Sequence, residues 1–268
     1  IGFSEQLASL SDVYVNDAFG TAHRAHASTQ GVTEFHPHSS AVGLLVEREL
    51  EMLGKALENP ERPFTVVLGG AKVSDKIGII EHLSEKVDTF LIGGGMAAAF
   101  LKANGMSVGA SNCADEDLDH ARNVIQLSEE KGFKLLLPSD VIVGNGFHEN
   151  ALAKMVDSKA ICDSWLIMDI GENTSSSYAH ELQKSNTVFW NGPMGVFEWD
   201  SFSSGSSGIA NALAEIEATS IIGGGSTADV VYTLGLDDRI SHVSTGGGAT
   251  LEYLEGRELP GIAAIPDA

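Results

Sequence analysis

The side chains that could do chemistry here are few and sit beside glycine turns. Lys72 and Lys76 stand four apart in Gly69-Gly70-Ala71-Lys72-Val73-Ser74-Asp75-Lys76. A helix starting in this stretch would show both ammonium groups on one face, with the Asp75 carboxylate beside them as a candidate Mg2+ contact. Lysine at a glycine turn suits phosphate as a mobile point charge. The alternative is a solvated first turn, although lysine at a helix start opposes the helix dipole. Arg24, in Asn16-Asp17-Ala18-Phe19-Gly20-Thr21-Ala22-His23-Arg24-Ala25-His26, is the one lysine or arginine in the first forty residues. Its fork suits a substrate carboxylate or phosphate. His23 and His26 have a spacing loosely like that of metal ligands, but no third ligand accompanies them, so they read as structural. His36 and His38 decorate a loop. Glu198 lies among aromatics in Val188–Phe202, where it could hold ribose hydroxyls or simply face solvent from a loop.

Three triple-glycine turns recur, at Gly93–Gly95, Gly223–Gly225 and Gly246–Gly248, with a shorter cousin at Gly69-Gly70. Each follows a short apolar run and precedes residues that can open a helix. Glycine there lets backbone N–H groups approach an anion, and the helix N-terminus adds its dipole. Any one such turn could equally serve close packing alone. Four on the carboxyl edge of one sheet favour phosphate binding. No Walker-type G-x-x-x-x-G-K-[ST] and no G-x-G-x-x-G after the first strand occurs, which argues against a P-loop protein and a dinucleotide-dependent dehydrogenase.

The elements that must position these residues follow from periodicity. Short apolar runs predict parallel strands at 65–68, 89–92, 134–137, 165–169, 187–190, 219–222 and 242–244. Helices are expected over 75–84, 96–103, 116–131, 175–184, 208–215, 227–234 and 249–254. That alternation predicts an α/β fold with a doubly wound, Rossmann-like parallel sheet. Residues 43–57 read as a long amphipathic helix stopped by Pro60 and Pro63, and 12–15 as a strand. The expected division is 1–42, the remnant of an N-terminal α/β domain; 43–59, an interdomain helix; 60–250, a nucleotide-binding domain; and 251–268, a tail returning toward the first part.

The 268 residues carry 37 acidic and 16 basic side chains, a formal net charge of −21, and are 43% hydrophobic. A nucleic-acid or anionic-membrane partner calls for a basic face, so neither is expected. Two cysteines without metal-ligand spacing fit a reduced, cytoplasmic protein. No apolar run is long enough to span a bilayer. The opening Ile-Gly-Phe-Ser reads as a helix already under way, so a preceding segment is expected.

The stretches DVYVNDAFGTAHRAHAS, LGGAKVSDKI, LIGGGMA, VFWNGPMGVFEW and HVSTGGGATLEYLEGRELPG together resemble the phosphoglycerate kinase family, over roughly the last two-thirds of a member. The resemblance implies transfer of a phosphoryl group between 1,3-bisphosphoglycerate and MgADP, giving 3-phosphoglycerate and MgATP. It implies two doubly wound domains joined by a long helix and closing by a hinge. Carried over by motif, Arg24 would bind the substrate phosphate, and Lys72 and Lys76 the nucleotide phosphates, Lys72 nearest the transferring group. Gly94 and Gly171 would line the adenine pocket. Asn191, Gly192 and Pro193 would turn against the nucleotide, and Glu198 would hold the ribose. Gly224, Gly225, Ser226 and Thr227 would meet the phosphates, and Asp75 the Mg2+. Gly247 and Gly248 would point N–H groups at the reacting phosphoryl; Lys72, Gly225 and Gly248 form the expected catalytic set. The implied partners are ADP or ATP and 3-phosphoglycerate, in a monomer. The chain departs from the pattern at Ser226, where many members have aspartate, at Glu172, where proline is usual, and over 139–151. The absent first part would carry most of the basic substrate cluster, so this chain alone is expected to be a weak nucleotide-binding fragment, the alternative being a non-catalytic interaction module.

Overall fold

The computed structural model describes residues 2–266. Their contacts form two units: residues up to Asn59 together with those from Ser244 onward, and Pro60–Val243.

The first unit opens with α1 (Gly2–Ala8), β1 (Tyr14–Asn16), β2 (Ser40–Val42) and α2 (Leu44–Glu58). β1 and β2 pair in parallel, Tyr14 opposite Ser40. The expected strand over 12–15 thus starts two residues later, and β2 had no strand signal beyond its three residues. Helix α2 has helical apolar spacing and buries Val46, Met52, Leu53, Ala56 and Leu57. Its N-cap, Gly43, has no side chain to offer. The cap comes from Asp17, whose Oδ1 accepts the N–H groups of Leu45 at 2.8 Å and Val46 at 3.1 Å. A Cβ on Gly43 would collide with that carboxylate. A cap of this kind is worth about 1 kcal/mol.

The second unit continues with β3 (Phe64–Leu68), α3 (Ile77–Leu83), β4 (Thr89–Ile92), α4 (Ala97–Ala103), α5 (Asp115–Lys131), β5 (Lys134–Leu136), β6 (Asp140–Gly144), β7 (Ala153–Asp157), β8 (Leu166–Ile170), α6 (Glu172–Leu182), β9 (Thr187–Asn191), α7 (Ser204–Glu215), β10 (Thr219–Gly223), α8 (Gly225–Thr233) and β11 (His242–Val243). Six strands pair in parallel in the order β11-β10-β9-β3-β4-β5. The order reverses between β3 and β9, with Leu68 opposite Asn191. In an open sheet such a switch point leaves a crevice at the carboxyl ends. The core beneath is Val67, Leu91, Val188, Trp190, Ile222, Ile209 and Leu213 with their neighbours. Each such side chain adds about 1.5–3 kcal/mol on burial.

One expected strand of the parallel sheet is elsewhere. Residues 166–170 form β8 in a separate antiparallel sheet, order β7-β6-β8. An apolar run alone does not say which sheet a strand joins. The strands of the hairpin β6–β7 are joined by the long connection 145–152, and no tight turn marks it in the sequence.

Two more helices are capped as α2 is. At α6, Asp140 accepts from Thr174 N at 2.7 Å and Asn173 N at 3.0 Å, over the missing side chain of Gly171. At α7, the buried Asp169 accepts Gly205 N at 2.7 Å, in space that a Cβ on Gly195 or Gly205 would fill. Burial pushes the Asp169 carboxyl up to about 7, against the lowering effect of its backbone and Ser204 hydrogen bonds. Both helices begin a turn earlier than their apolar spacing suggested, because the caps lie far away in sequence.

The chain ends, back in the first unit, with α9 (Gly248–Leu254) and α10 (Pro260–Ala263). Asn16 Nδ2 donates to Gly261 O at 2.9 Å, tying β1 to α10.

Candidate functional site

The switch point gathers four turns of the second unit, those after β3, β4, β9 and β10. Lys76 does not lie on a helix face with Lys72, as its spacing suggested. Helix α3 begins only at Ile77, and residues 74–76 form a turn. Lys76 is buried and its Nζ donates to Asn191 Oδ1; Asn191 Nδ2 donates to Gly223 O at 2.6 Å. Lys76, in the turn before α3, and Asn191, at the end of β9, thus tie that turn to the ends of β9 and β10. Lys72 and Asp75 stay exposed on the same turn.

The glycines of these turns divide by use. Gly69 N donates to Asn191 O at 3.0 Å, Gly70 N to Pro193 O at 3.0 Å, and Gly94 N to Met194 O at 2.8 Å. Their N–H groups are therefore spent on the protein. A Cβ on Gly69 or Gly192 would collide with the other's turn, and one on Gly94 would strike Gly70. Gly94 and Gly192 also have positive φ, 64° and 92°, which favours glycine. At these positions the close-packing reading of the glycine turns accounts for the residues.

The turn after β10 differs. Gly224, with φ 89°, is the N-cap of α8 and no side chain caps it. A Cβ on Gly225 would meet nothing within 4 Å. The opening N–H groups of Gly225, Ser226 and Thr227 lie in the first turn of a nine-residue helix, where no intrahelical acceptor exists. Such a terminus favours an anion. Ser226, which could have capped the helix, is exposed at the second helical position and donates to no backbone group there. Thr227 is buried, and its hydroxyl accepts Gly192 N at 2.7 Å. It holds the Asn-Gly-Pro turn and leaves its backbone N–H for a ligand. Trp190 Nε1 donates to Gly192 O at 2.8 Å and braces the same turn.

Glu198 is exposed, next to Trp199. Trp199 packs on Phe147 with ring centroids 5.0 Å apart, and on Phe202 at 6.4 Å. Phe147, from the β6–β7 loop, is an aromatic the sequence reading missed, since nothing local links it to Trp199. Gly171 lines a cavity of 290 Å3 with Ile142, Met155, Glu172, Ser175 and Ser204. Among the described residues no three His, Cys, Asp or Glu side chains converge as a metal cage. Asp75 is a single exposed carboxylate, which fits a Mg2+ carried in on nucleotide phosphates, since that ion keeps most of its ligands from water and phosphate.

A second cluster lies within the first unit. Glu49, buried in α2, accepts Thr245 N at 2.7 Å and Thr245 Oγ1 at 2.8 Å. It thereby fixes the start of the Gly246–Gly248 turn. Gly246 packs on Phe19, and a Cβ on Gly248 would lie 3.3 Å from His23 Nε2. His23 Nδ1 is buried and has no hydrogen-bond partner among the described residues. The loop that carries exposed Arg24 therefore abuts the N-terminus of α9, where Gly247 has φ 51°.

Comparison with known proteins follows the same lines. Residues 2–257 match the family model described as phosphoglycerate kinase. Phosphoglycerate kinase of Clostridium tetani is 54% identical over 265 residues, covering 99% of this chain and 66% of the relative. That of Moorella thermoacetica is 50% identical, covering 99% and 67%. The structure of phosphoglycerate kinase from Coxiella burnetii matches with a TM-score of 0.92 at 45% identity, over 98% of this chain and 67% of that one. The Pyrococcus horikoshii phosphoglycerate kinase matches at 0.86 and 33% identity. The chain spans about two-thirds of the length of the relatives it matches.

Proposed function

The chain belongs to the phosphoglycerate kinase family, and from that premise we propose that it carries the nucleotide half of an enzyme that moves a phosphoryl group between 1,3-bisphosphoglycerate and MgADP, giving 3-phosphoglycerate and MgATP. The observation that carries this reading is the uncapped N-terminus of α8 beside the Lys76–Asn191–Gly223 network at the β3/β9 switch point. In this reading Pro60–Val243 holds the nucleotide. The first forty-two residues and the tail from Leu251 onward belong to the glycerate side, and α2 is the helix between them and the nucleotide part in sequence.

Phosphoryl transfer needs little covalent chemistry from the protein and much charge placement. Lys72 supplies a mobile cation to the transferring group. The backbone N–H groups of Gly225, Ser226 and Thr227 meet the nucleotide phosphates. Lys76 acts mainly by fixing Asn191, Gly192 and Pro193 against the nucleotide. Glu198 holds the ribose, with Trp199 and Phe147 as the apolar wall for the base. Asp75 would hold a Mg2+ that offsets the charge of the nucleotide phosphates, and Ser226 would contribute no charge to it.

A second reading has a specific support. Arg24 is the one lysine or arginine in the first forty residues, so the glycerate side of this chain has little charge to hold a substrate that carries both a carboxylate and a phosphate. The chain by itself then binds nucleotide and turns over slowly or not at all. Calorimetric titration with MgADP and with 3-phosphoglycerate tests both. Binding of MgADP alone marks a nucleotide-binding fragment; binding of both, with turnover in a coupled assay, marks a working enzyme. Loss of both sinks the assignment of the switch point. The strongly acidic surface argues against nucleic acid and anionic membrane as partners, and no helix among the described residues is long and apolar enough to cross a membrane. A cytoplasmic monomer is the setting we propose.

A further inference from the structure

No motif marks Asp117. It stands in the first turn of α5 between exposed acidic neighbours, yet its own side chain is buried. Its Oδ1 accepts the backbone N–H of Ser74 at 2.9 Å. Ser74 lies forty-three positions away, in the middle of the turn that joins β3 to α3 and displays Lys72 and Asp75.

That turn is fastened at both ends. Gly70 N donates to Pro193 O at 3.0 Å, and Gly70 O accepts Met96 N at 3.0 Å. Lys76 donates to Asn191. Between those points Val73 is buried, while Lys72 and Asp75 are exposed. Among the described residues, the outer edge of the turn has one side-chain hydrogen bond to the body of the unit, accepted by the Asp117 carboxylate. A buried carboxylate must find donors to offset its lost hydration, and a charge-assisted bond to a backbone N–H is among the stronger hydrogen bonds. Because α5 is a seventeen-residue helix packed on α4, its first turn is a rigid post.

We propose that Asp117 is a positioning residue: it holds Ser74 so that Lys72 and Asp75, on either side of it, are presented to the phosphates of a bound nucleotide. This rests on the nucleotide reading above. Phosphate contacts lose strength quickly when the donor wanders by an ångström, so a loosened turn weakens phosphate binding while leaving the base and ribose contacts alone.

The test uses the whole chain with Asp117→Ala and Asp117→Asn. In the alanine variant the Ser74 amide should exchange with deuterium about tenfold faster, and MgADP should bind about tenfold more weakly, the equivalent of one charge-assisted hydrogen bond. Adenosine, which has no phosphates, should bind both proteins alike. Asparagine keeps a carbonyl-type acceptor and should restore both properties to within a few-fold. Unchanged MgADP binding in the alanine variant overturns the proposal, as does an equal loss for adenosine, which would mean general damage. Failure of the unaltered chain to bind MgADP overturns the nucleotide reading itself. The exchange of Ser74 then still reports whether Asp117 anchors the turn.

Discussion

The hydroxyl of Thr227, in the first turn of α8, accepts the backbone N–H of Gly192, in the turn after β9, at 2.7 Å. Two turns thirty-five residues apart are thereby locked at the point where the sheet order reverses. Thr227→Val keeps the shape and removes the acceptor, leaving a half-buried N–H unpaired. It should cost about 1–3 kcal/mol in urea unfolding, whereas Thr227→Ser should stay within about 1 kcal/mol of the parent. Equal stability of the valine variant would show that the lock is ornamental.

Lys76 and Asn191 form the second lock. Removing either partner should cost about 1–3 kcal/mol. Because the two bond directly, the double variant Lys76→Met with Asn191→Leu should lose less than the two single losses added together. A coupling energy of about 0.5 kcal/mol or more in a double-mutant cycle is the expected result; strict additivity would place the ammonium's important partners elsewhere.

Gly225 and Gly171 separate space needed for a ligand from space needed for the fold. A Cβ on Gly225 meets nothing, so Gly225→Ala should leave stability unchanged or raise it by up to about 1 kcal/mol through helix propensity. The same methyl stands before the N–H groups of α8 and should weaken MgADP binding. Gly171→Ala drives a methyl into the Asp140 carboxylate and should cost about 1–3 kcal/mol. Thermal unfolding and calorimetry together distinguish the two effects.

Asp169 makes stability depend on pH in an unusual direction for a carboxylate. Its folded value is near 7 because burial disfavours the charge, above the ordinary unfolded value of about 3.9. The folded state therefore holds the proton more tightly. The favourable contribution is complete below the unfolded value and is lost as pH rises through about 7. Within that window the slope approaches about 1.4 kcal/mol per pH unit. Asp169→Asn, which keeps an acceptor for Gly205, should flatten the decline in urea midpoint between pH 5 and 8; an identical decline in both proteins would assign it to other groups.

Much of this was legible in order along the chain. The strands of the parallel sheet, the long α2 and the family resemblance all follow from local pattern, because apolar period and glycine spacing are one-dimensional signals. The helix caps were not. Asp17, Asp140 and Asp169 cap helices that begin 27, 32 and 35 positions later, and a cap that distant leaves no motif at the helix it serves. The hairpin β6–β7 and its aromatic Phe147 escaped for a similar reason: the partner ring, Trp199, arrives from another segment.

The sequence by itself determined which residues can carry charge, where the chain turns, and to which family it belongs. Only the tertiary structure decided what each glycine and lysine is for. Gly69, Gly70 and Gly94 spend their N–H groups on neighbouring backbone, while Gly225 leaves its own open. Lys76 turns inward to Asn191 while Lys72, four residues earlier, stays in solvent. The difference is strand order: placing β3 beside β9 puts their two turns in contact, and a donor becomes structural or available according to which neighbour the sheet gives it.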